Sequence, residues 1–293
     1  MRFAEGPVTV LAPATSANLG PGFDALGLAL DLHDRVSAEI TDGGLEFAIT
    51  GEGADDVPRD ETHLLYRAME TTFDVIGWRP DGLRITCENV VPHGRGLGSS
   101  SAAIAAGIVL AHELVGGAVL DDLTLLQIAT DLEGHPDNVA PALFGGFTIA
   151  WIDGAAVHHH RIEVDTTVTV FVPPEPVSTH VARGLLPATV PHEDAVFNAG
   201  RAALLVAGLT GAPEVLISAT EDRLHQSYRA EAMPASYGLL RRMRAEGIPT
   251  VISGAGPTVL ALAGGVSDWC PAGWVVHELT VDTLGTRVVS DPA

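Results

Sequence analysis

The chain has 293 residues, 46% of them hydrophobic, and a formal net charge of −21 from 37 acidic and 16 basic residues. This length suits one large domain or two of ordinary size, and the hydrophobic content is enough for a full core. Because so acidic a surface repels nucleic acids and anionic membranes, we expect neither to be a partner.

The sequence shows no segment that would direct the chain into or across a membrane. The first residues lack the apolar core of a signal peptide, and every apolar run is interrupted before it reaches membrane-spanning length. Cys87 and Cys270 are too few and too far apart to indicate a disulfide framework. We therefore expect a soluble cytoplasmic protein.

Hydrophobic periodicity and turn residues divide the chain into short strands and helices. In the first half, strands are predicted at residues 8–12, 25–30, 32–40, 45–50 and 83–87, and helices at 63–76, about 101–114 and 123–132. In the second half, strands are predicted at 167–172, 250–252 and 259–263, and helices at 194–208, 216–224 and 236–246. A domain boundary is predicted between residues 153 and 165, and the tail from Gly264 carries no clear pattern.

Residues 90–102 combine a strand-like start, a Gly- and Ser-rich middle and a helix-prone end. Glycines at positions 94, 96 and 98 let the backbone adopt positive φ and approach a ligand closely. The serines at 99, 100 and 101 can cap the following helix and add hydroxyls for a phosphate or its cation. Because a helix start presents free N–H groups and a positive dipole end, this segment predicts a phosphate-binding loop. A Gly-rich turn before a buried helix is the alternative from these residues alone.

Two familiar phosphate-binding motifs do not fit this loop. A P-loop carries a Lys that reaches the β- and γ-phosphates, but all 16 basic residues of this chain are Arg. A Rossmann turn needs G-x-G-x-x-G with an acidic residue about twenty positions further on, whereas the glycines here fall as G-x-G-x-G. Asp121 and Asp122 lie near that distance but suit a helix start better. The loop must therefore hold phosphates in a third way.

The segment at residues 13–30 places Asn18 and Asp24 among glycines and prolines. Side chains of this type commonly hydrogen-bond their own backbone, so the residues alone favour a turn. A role in ligand binding is the alternative interpretation.

Residues 133–138 bring Glu133, His135, Asp137 and Asn138 together on a turn broken by Gly and Pro. A carboxylate beside a phosphate loop is a natural Mg²⁺ ligand, because the ion prefers hard oxygen atoms. Zinc is disfavoured, since no second His or Cys lies at ligand spacing. The three histidines at 158–160 end a probable strand and are expected on a solvated face.

Four segments, at residues 13–30, 92–102, 133–146 and 253–258, are together similar to the GHMP kinases. Within that superfamily the chain resembles the homoserine kinases over nearly its whole length. The most specific motifs are Pro-Ala-Thr-Ser-Ala-Asn-Leu-Gly-Pro-Gly-Phe-Asp from residue 13 and Gly-His-Pro-Asp-Asn-Val-Ala from residue 134. The resemblance implies an α+β fold with an N-terminal ATP-binding domain (residues 1–160, ribosomal S5 domain 2-like) and a C-terminal ferredoxin-like domain (residues 161–293).

The resemblance also implies an enzyme that uses ATP and Mg²⁺ to phosphorylate the hydroxyl of L-homoserine, a step of threonine biosynthesis. The nucleotide phosphates would be held by Pro92, His93, Gly94, Arg95, Gly96, Leu97, Gly98, Ser99, Ser100, Ser101 and Ala102. The ion would lie on Ser100 and Glu133, which form the catalytic set together with Asn138. The amino acid would be bound by Asn18, Asp24, His135, Asn138, Thr179, Arg183 and Arg229.

Two positions depart from the family pattern. His63 stands where Asn is frequent, near the base-binding region, and Asn138 occupies the position of the Asp base of mevalonate-type kinases. Since an amide cannot act as a base at neutral pH, catalysis would rest on alignment and charge stabilisation, which a loose phosphoryl-transfer transition state permits. The alternatives are a GHMP kinase for another small alcohol, such as mevalonate or a sugar, and a non-catalytic GHMP-fold binding protein. The oligomeric state is left open, with a homodimer among the options.

Overall fold

The structure is a computed structural model that describes residues 4–117 and 119–290. The strands are β1 (Val8–Ala17), β2 (Leu26–Thr41), β3 (Gly44–Gly51), β4 (Gly82–Asn89), β5 (Phe147–Asp153), β6 (Ala156–Ile162), β7 (Thr167–Val172), β8 (Thr250–Ile252), β9 (Val259–Ala261), β10 (Val275–Thr280) and β11 (Arg287–Val289). The helices are α1 (Leu64–Ile76), α2 (Ser99–Leu114), α3 (Asp122–Glu133), α4 (Pro136–Phe144), α5 (Thr179–Gly184), α6 (His192–Thr210), α7 (Leu216–Ala219) and α8 (Pro234–Ala245). None of the helices in the described ranges combines the length and hydrophobicity that a bilayer-spanning segment requires.

The strands form two sheets, and the predicted α+β class is confirmed. The first sheet has the order β11-β1-β2-β4-β3, with β5 also paired to β2 and β6 paired to β5. Its pairs are antiparallel apart from β3 and β4, which run parallel. The second sheet is antiparallel with the order β10-β7-β9-β8. The predicted domain division at residue 160 stays a prediction. Strand β11, near the end of the chain, returns to the first sheet and pairs with β1.

One hydrophobic core joins the two sheets. Leu28 and Phe147 of the first sheet belong to the same cluster of buried side chains as Val170 and Leu260 of the second. Helices α1 and α2 cover the other face of the first sheet, and α8 covers the second. Since burial of apolar surface is the main stabilising contribution to folding, the shared core holds the two sheets in a fixed relation.

Helix α2, which follows the predicted phosphate loop, is buried on almost all sides. An apolar surface all around a helix is typical of a core helix. Small residues let α1 pack closely against it: a β-carbon at Gly107 would lie 2.4 Å from the carbonyl oxygen of Leu65. The start of α2 is therefore fixed by packing along its length.

Several predicted elements differ in the structure. The turn predicted at residues 133–138 gives way from Pro136 onward to α4, because Pro136 stands at the helix start, where its missing N–H costs no hydrogen bond. The predicted helix at 216–224 ends at Ala219. The Asp222 carboxylate accepts hydrogen bonds from the N–H groups of Leu224, His225 and Gln226, and these start a separate turn. The tail that showed no pattern supplies β10 and β11.

The three histidines expected on a solvated face lie on β6, and two of them stack on aromatic rings. The ring of His159 is half-buried and lies 4.1 Å from that of Phe144, centroid to centroid, and His158 stacks on Trp151 at 5.4 Å. Only His160 is exposed among the three. The expectation is therefore wrong for His159, which packs against α4.

A buried carboxylate fastens the returning tail to the first sheet. His33 donates to the Asp282 carboxylate at 2.6 Å, and Arg287 of β11 donates to it at 2.8 Å. Burial alone would raise the pKa of Asp282, but hydrogen bonds from His33, from the Gly285 and Leu284 backbone and from Arg287 outweigh it and lower the pKa to about 2. A depressed pKa means that the ionised form is favoured by folding.

This carboxylate predicts a pH-dependent part of the free energy of unfolding. A carboxyl pKa lowered from 3.8 to about 2 corresponds to roughly 2 kcal/mol of stability. That contribution is present above the unfolded-state pKa and is lost as pH falls through the folded-state value, between about pH 4 and pH 2. Asp282→Asn should therefore lower the free energy of unfolding at pH 7, measured by denaturant titration, and the difference from wild type should shrink at pH 3. The exposed Asp42→Asn is the control, and an undiminished difference at pH 3 would show that the charge of Asp282 does not matter.

Candidate active site

The predicted phosphate loop, residues 92–102, begins after β4 and runs into α2. Gly98 has a φ of 69° and is the N-cap of α2, so the serines do not cap the helix as expected but form its first turn. A β-carbon at Gly98 would lie 1.9 Å from the Thr15 hydroxyl oxygen, and one at Gly96 would lie 2.3 Å from the Ser253 carbonyl oxygen. Only glycine fits either position.

Carbonyl oxygens of the loop are turned outward and held by both halves of the chain. Leu97 O accepts from the Thr15 N–H at 3.0 Å, Gly96 O from the Ser253 hydroxyl at 2.6 Å, and Gly94 O from the Val177 N–H at 3.1 Å. Because the first N–H groups of α2 have no acceptor within the helix, this arrangement leaves donors and the positive dipole end for an anion in the cleft.

The side chain of Arg95 lines the cavity and also fixes the loop through carbonyl oxygens. Its guanidinium donates to the carbonyl oxygens of His93 at 2.9 Å and Pro173 at 3.0 Å, and also to that of Pro174. These contacts join the loop to the segment after β7. The positive charge of Arg95 is therefore held at the edge of the loop.

Ser100 and Glu133, the predicted metal ligands, lie together although 33 residues separate them. The Ser100 hydroxyl donates to Glu133 Oε1 at 2.9 Å, and the Ser101 hydroxyl donates to the same atom at 3.2 Å. Glu133 is the last residue of α3, and Gly134 ends that helix in the left-handed region. The ends of α2 and α3 thus bring hard oxygen atoms to one point.

Asn18 and Asp24 have positive φ values of 66° and 54°, which are uncommon for residues with a side chain. Asn18 Oδ1 accepts from the Asp24 N–H at 2.9 Å, and its Nδ2 donates to Gly254 O at 3.0 Å. The turn interpretation is therefore correct for Asn18. Strain of this kind, about 1–3 kcal/mol per residue, concentrates at functional sites, and both residues also line the cavity described below.

Asp24 forms a two-point ion pair with Arg183 of α5. The two guanidinium nitrogens lie 2.7 and 3.1 Å from the two carboxylate oxygens. The hydrogen bond with Asp24 raises the pKa of Arg183. In the free protein these two side chains therefore neutralise each other.

Arg229 is almost fully buried beside this pair, with 2% of its surface exposed. Its guanidinium donates to Ala182 O at 3.2 Å and to the Nδ1 atom of His225 at 3.2 Å. Burial and the neighbouring charge of Arg183 lower the pKa of Arg229. A buried guanidinium next to a second one is a strong anion-binding group, because an added carboxylate would relieve both effects.

The start of α4 adds three polar side chains to the same cleft. His135 Nδ1 lies 2.6 Å from a carboxylate oxygen of the buried Asp137. Burial lowers the pKa of His135, but the hydrogen bond and charge of Asp137 and the charge of Glu133 outweigh it, and the pKa is raised. Asn138 Oδ1 accepts from the Thr15 hydroxyl at 2.8 Å. Asp137 and Thr15 were not predicted as site residues.

A single cavity of about 430 Å³ connects these groups. The predicted site residues that line it are Asn18, Asp24, Pro92, His93, Gly94, Arg95, Gly96, Gly98, Ser99, Ser100, Ala102, Glu133, His135, Asn138, Thr179, Arg183 and Arg229. Leu97 and Ser101 do not line it: Leu97 lies in the shared core, and Ser101 is buried in the first turn of α2.

His63 also lines the cavity. It caps α1 by accepting the Leu65 N–H at 3.2 Å, and its ring stacks on Phe47 at 4.7 Å. Burial and the charge of His93 lower the pKa of His63. Its position among apolar side chains such as Val36 and Leu64 suits a flat base.

Comparison with known proteins agrees with this geometry. Residues 63–146 match the GHMP kinases N terminal domain. A homoserine kinase of Streptomyces avermitilis is 56% identical over 296 residues, covering 98% of this chain and 97% of the relative. The chain belongs to the homoserine kinase family. A homoserine kinase of Clavibacter michiganensis subsp. michiganensis is 48% identical, covering 96% of this chain and 93% of that one.

Solved structures share the fold of this family member. The crystal structure of homoserine kinase from Cytophaga hutchinsonii superposes with a TM-score of 0.84 and 26% identity, over 99% of each chain. A putative homoserine kinase from Listeria monocytogenes superposes with a TM-score of 0.77 and 28% identity, over 97% of this chain and all of that one. The L. major mevalonate kinase has the same fold at 14% identity and a TM-score of 0.67. The predicted GHMP kinase fold is confirmed.

The tight contact at Gly98 predicts a loss of nucleotide binding on a minimal substitution. Gly98→Ala places a β-carbon against the Thr15 hydroxyl, so the loop must move and its N–H groups lose their alignment. We expect the Kd for ATP, measured by calorimetry, to rise about tenfold or more, since each lost charge-assisted hydrogen bond contributes about 1.5–3 kcal/mol. Gly154→Ala is the matched control, because Gly154 has a similar positive φ of 65° but open space around it. Wild-type ATP binding by a folded Gly98→Ala variant would remove this loop from the nucleotide site.

Proposed function

We propose that this protein transfers the γ-phosphoryl group of ATP to the side-chain hydroxyl of L-homoserine, producing O-phospho-L-homoserine for threonine biosynthesis. The observation that carries the proposal is the pairing of Asp24 with Arg183 beside the buried Arg229, in a cavity that continues to the phosphate loop. Family membership supplies the reaction class, and these charged side chains support an amino acid as the acceptor.

A zwitterion can replace the Asp24–Arg183 pair without leaving a charge unpaired. Its carboxylate would bind Arg183 and Arg229, whose planar forks of donors match a carboxylate in two-point contact. Its ammonium would bind Asp24, which the incoming carboxylate releases from Arg183. Asn18, His135 and Thr179 would line the rest of the amino-acid subsite.

The same charges disfavour the alternative acceptors. Mevalonate carries one carboxylate and no ammonium, so binding it would leave Asp24 without a partner inside the cavity. A neutral sugar has no charged group that could replace either partner of the Asp24–Arg183 ion pair. The side chains of Asp24 and Arg183 are 34% and 39% exposed, so an unpaired Asp24 would be only partly hydrated, and a zwitterion is favoured because it keeps every charge paired.

Ser100 and Glu133 suit a Mg²⁺ ion that accompanies ATP. Their oxygen atoms lie 2.9 Å apart. Adjacent ligands in an octahedral shell at 2.0–2.1 Å are separated by about 3 Å, so one ion could be shared by both atoms. When bound, such an ion would neutralise the negative charge that develops on the phosphates during transfer.

The remaining contribution of the protein to the reaction is to align the two substrates. The hydroxyl oxygen of homoserine attacks the γ-phosphorus, the bond to the bridging oxygen breaks, ADP leaves with the electron pair, and the hydroxyl proton is released to water. Asn138 lines the cavity next to the last glycine of the phosphate loop, and its amide cannot take that proton at neutral pH. Holding the two substrates in line can itself supply a large share of the rate enhancement. We further expect a soluble cytoplasmic enzyme that acts on small molecules rather than on nucleic acids or membranes.

The first test concerns the charge of Glu133. Glu133→Gln keeps an oxygen that can accept from Ser100 and Ser101 but removes the negative charge that would hold Mg²⁺. We expect kcat to fall by about 10²–10³, as for loss of a contact that stabilises transition-state charge, with a higher Mg²⁺ requirement and little change in melting temperature. The exposed Glu214→Gln is the control. Normal turnover with reduced stability would instead mean that Glu133 only fixes the ends of the two helices.

The second test concerns the amino-acid subsite. Arg229→Lys keeps the charge but not the fork of donors, so the KM for L-homoserine should rise about tenfold or more while the KM for ATP stays near normal. Asp24→Asn should likewise raise the KM for L-homoserine and reduce the preference for it over its analogue without the amino group. Exposed Arg242→Lys is the control.

ADP release over a panel of L-homoserine, L-serine, mevalonate and galactose completes this test. Preferred turnover of mevalonate or galactose, or normal kinetics in both the Arg229 and Asp24 variants, would replace the amino acid with another alcohol. The absence of ADP release with every acceptor would favour a non-catalytic binding protein.

A further inference from the structure

Thr15 of β1 lies between the phosphate loop and α4, with no exposed surface. Its N–H donates to Leu97 O in the loop at 3.0 Å, and its hydroxyl donates to Asn138 Oδ1 at 2.8 Å. One residue therefore contacts both the segment that would hold ATP and the amide at the point of transfer. Neither the motif comparison nor the proposed reaction gives Thr15 a role.

The fit around this hydroxyl is tight. A β-carbon at Gly98 would lie 1.9 Å from Thr15 Oγ1 and 3.3 Å from Asn138 Oδ1. The last glycine of the loop, the Thr15 hydroxyl and the Asn138 amide thus meet at one point. Since β1 is the strand between β2 and β11 in the first sheet, the hydroxyl is mounted on a rigid element.

The structure orients the Asn138 amide with Oδ1 accepting from the Thr15 hydroxyl. Its Nδ2, which has two N–H donors and no acceptor capacity, makes no hydrogen bond within the described residues and is left for a ligand. A donor suits an oxygen of the transferring phosphoryl group, on which negative charge is spread. An amide turned the other way would place its oxygen against that charge.

We propose that Thr15 is a positioning residue, which holds the Asn138 amide with its N–H groups facing the γ-phosphoryl group of ATP. The inference rests on the proposed function, because it assigns Asn138 to the site of phosphoryl transfer. Thr15 itself does not line the cavity. Its effect should appear in the rate of transfer and not in the binding of either substrate.

The test compares two substitutions at Thr15. Thr15→Val keeps the shape and removes the hydroxyl, whereas Thr15→Ser keeps the hydroxyl. In Thr15→Val we expect kcat to fall about tenfold or more, the effect of losing one oriented hydrogen bond in the transition state, with the KM values for ATP and L-homoserine within about twofold of wild type. Thr15→Ser should restore most of kcat.

Thr169→Val is the matched control. The Thr169 side chain is also fully buried on a central strand, and its hydroxyl also donates a 2.8 Å hydrogen bond, but to Ala263 O in the second sheet. It should lose as much stability as Thr15→Val and keep a normal kcat. Equal losses of kcat in the two variants would mean that Thr15 acts only through stability.

A double-mutant cycle with Asn138→Ala completes the test. If Thr15 acts through the amide, Thr15→Val should lower kcat little further in the Asn138→Ala background. An undiminished effect there, or wild-type kcat in Thr15→Val, would overturn the proposal. If Thr15→Val does not fold, Thr15→Ala takes its place in the same cycle. Failure of the wild-type enzyme to phosphorylate L-homoserine would instead contradict the proposed function, so the two failures are distinguishable.

Discussion

The site depends on the turn at Ser253 and Gly254, between β8 and β9 of the second sheet. The Ser253 hydroxyl binds Gly96 O in the phosphate loop at 2.6 Å, and Gly254 O accepts from Asn18 Nδ2 at 3.0 Å. The Gly254 N–H in turn donates to Ala17 O at 3.1 Å. This one turn therefore fixes the phosphate loop and the Asn18 turn relative to each other. Because backbone groups buried at such a junction must be hydrogen-bonded, neither segment can move without breaking the other's contacts.

That junction explains how a strongly acidic chain maintains a local positive site. Two arginines, 183 and 229, converge below the turn, and their mutual repulsion is offset by Asp24 and by backbone carbonyl oxygens. The cost of burying the Arg229 guanidinium is offset only because these partners surround it. Removal of the acidic partner would leave the buried Arg229 beside an unpaired Arg183, whose side chain is 39% exposed. The same pairing therefore stabilises this cluster of charges and supports the proposal of a zwitterionic occupant.

How much the sequence predicts varies with the distance between interacting residues. The phosphate loop follows from a local run of Gly and Ser before an apolar helix, and the order of most strands and helices follows from periodicity. The Thr15–Asn138 and Ser253–Gly96 contacts join residues more than a hundred positions apart, and no local pattern marks them. The pairing of β11 with β1 is likewise decided by a buried carboxylate, Asp282, whose partner His33 lies near the other end of the chain. The carboxylates of residues 133–138 predict a Mg²⁺ ligand by themselves, but the pairing of Glu133 with Ser100 follows only from the resemblance to the GHMP kinases, because nothing in their own neighbourhoods links them.

The lack of Lys has a consequence for the way ATP charge is balanced. A P-loop Lys would bring a mobile positive charge to the phosphates. Here Arg95 lines the cavity but is held on carbonyl oxygens at the edge of the loop, so the charge of ATP would be met mainly by fixed backbone N–H donors, with the Ser100 hydroxyl and the Glu133 carboxylate beside them. Fixed donors need no reorganisation during transfer, which is the condition under which electrostatic stabilisation is most effective. Since Glu133 is itself negative, it can help a phosphate only through a cation, which is the physical reason for the proposed Mg²⁺ ion.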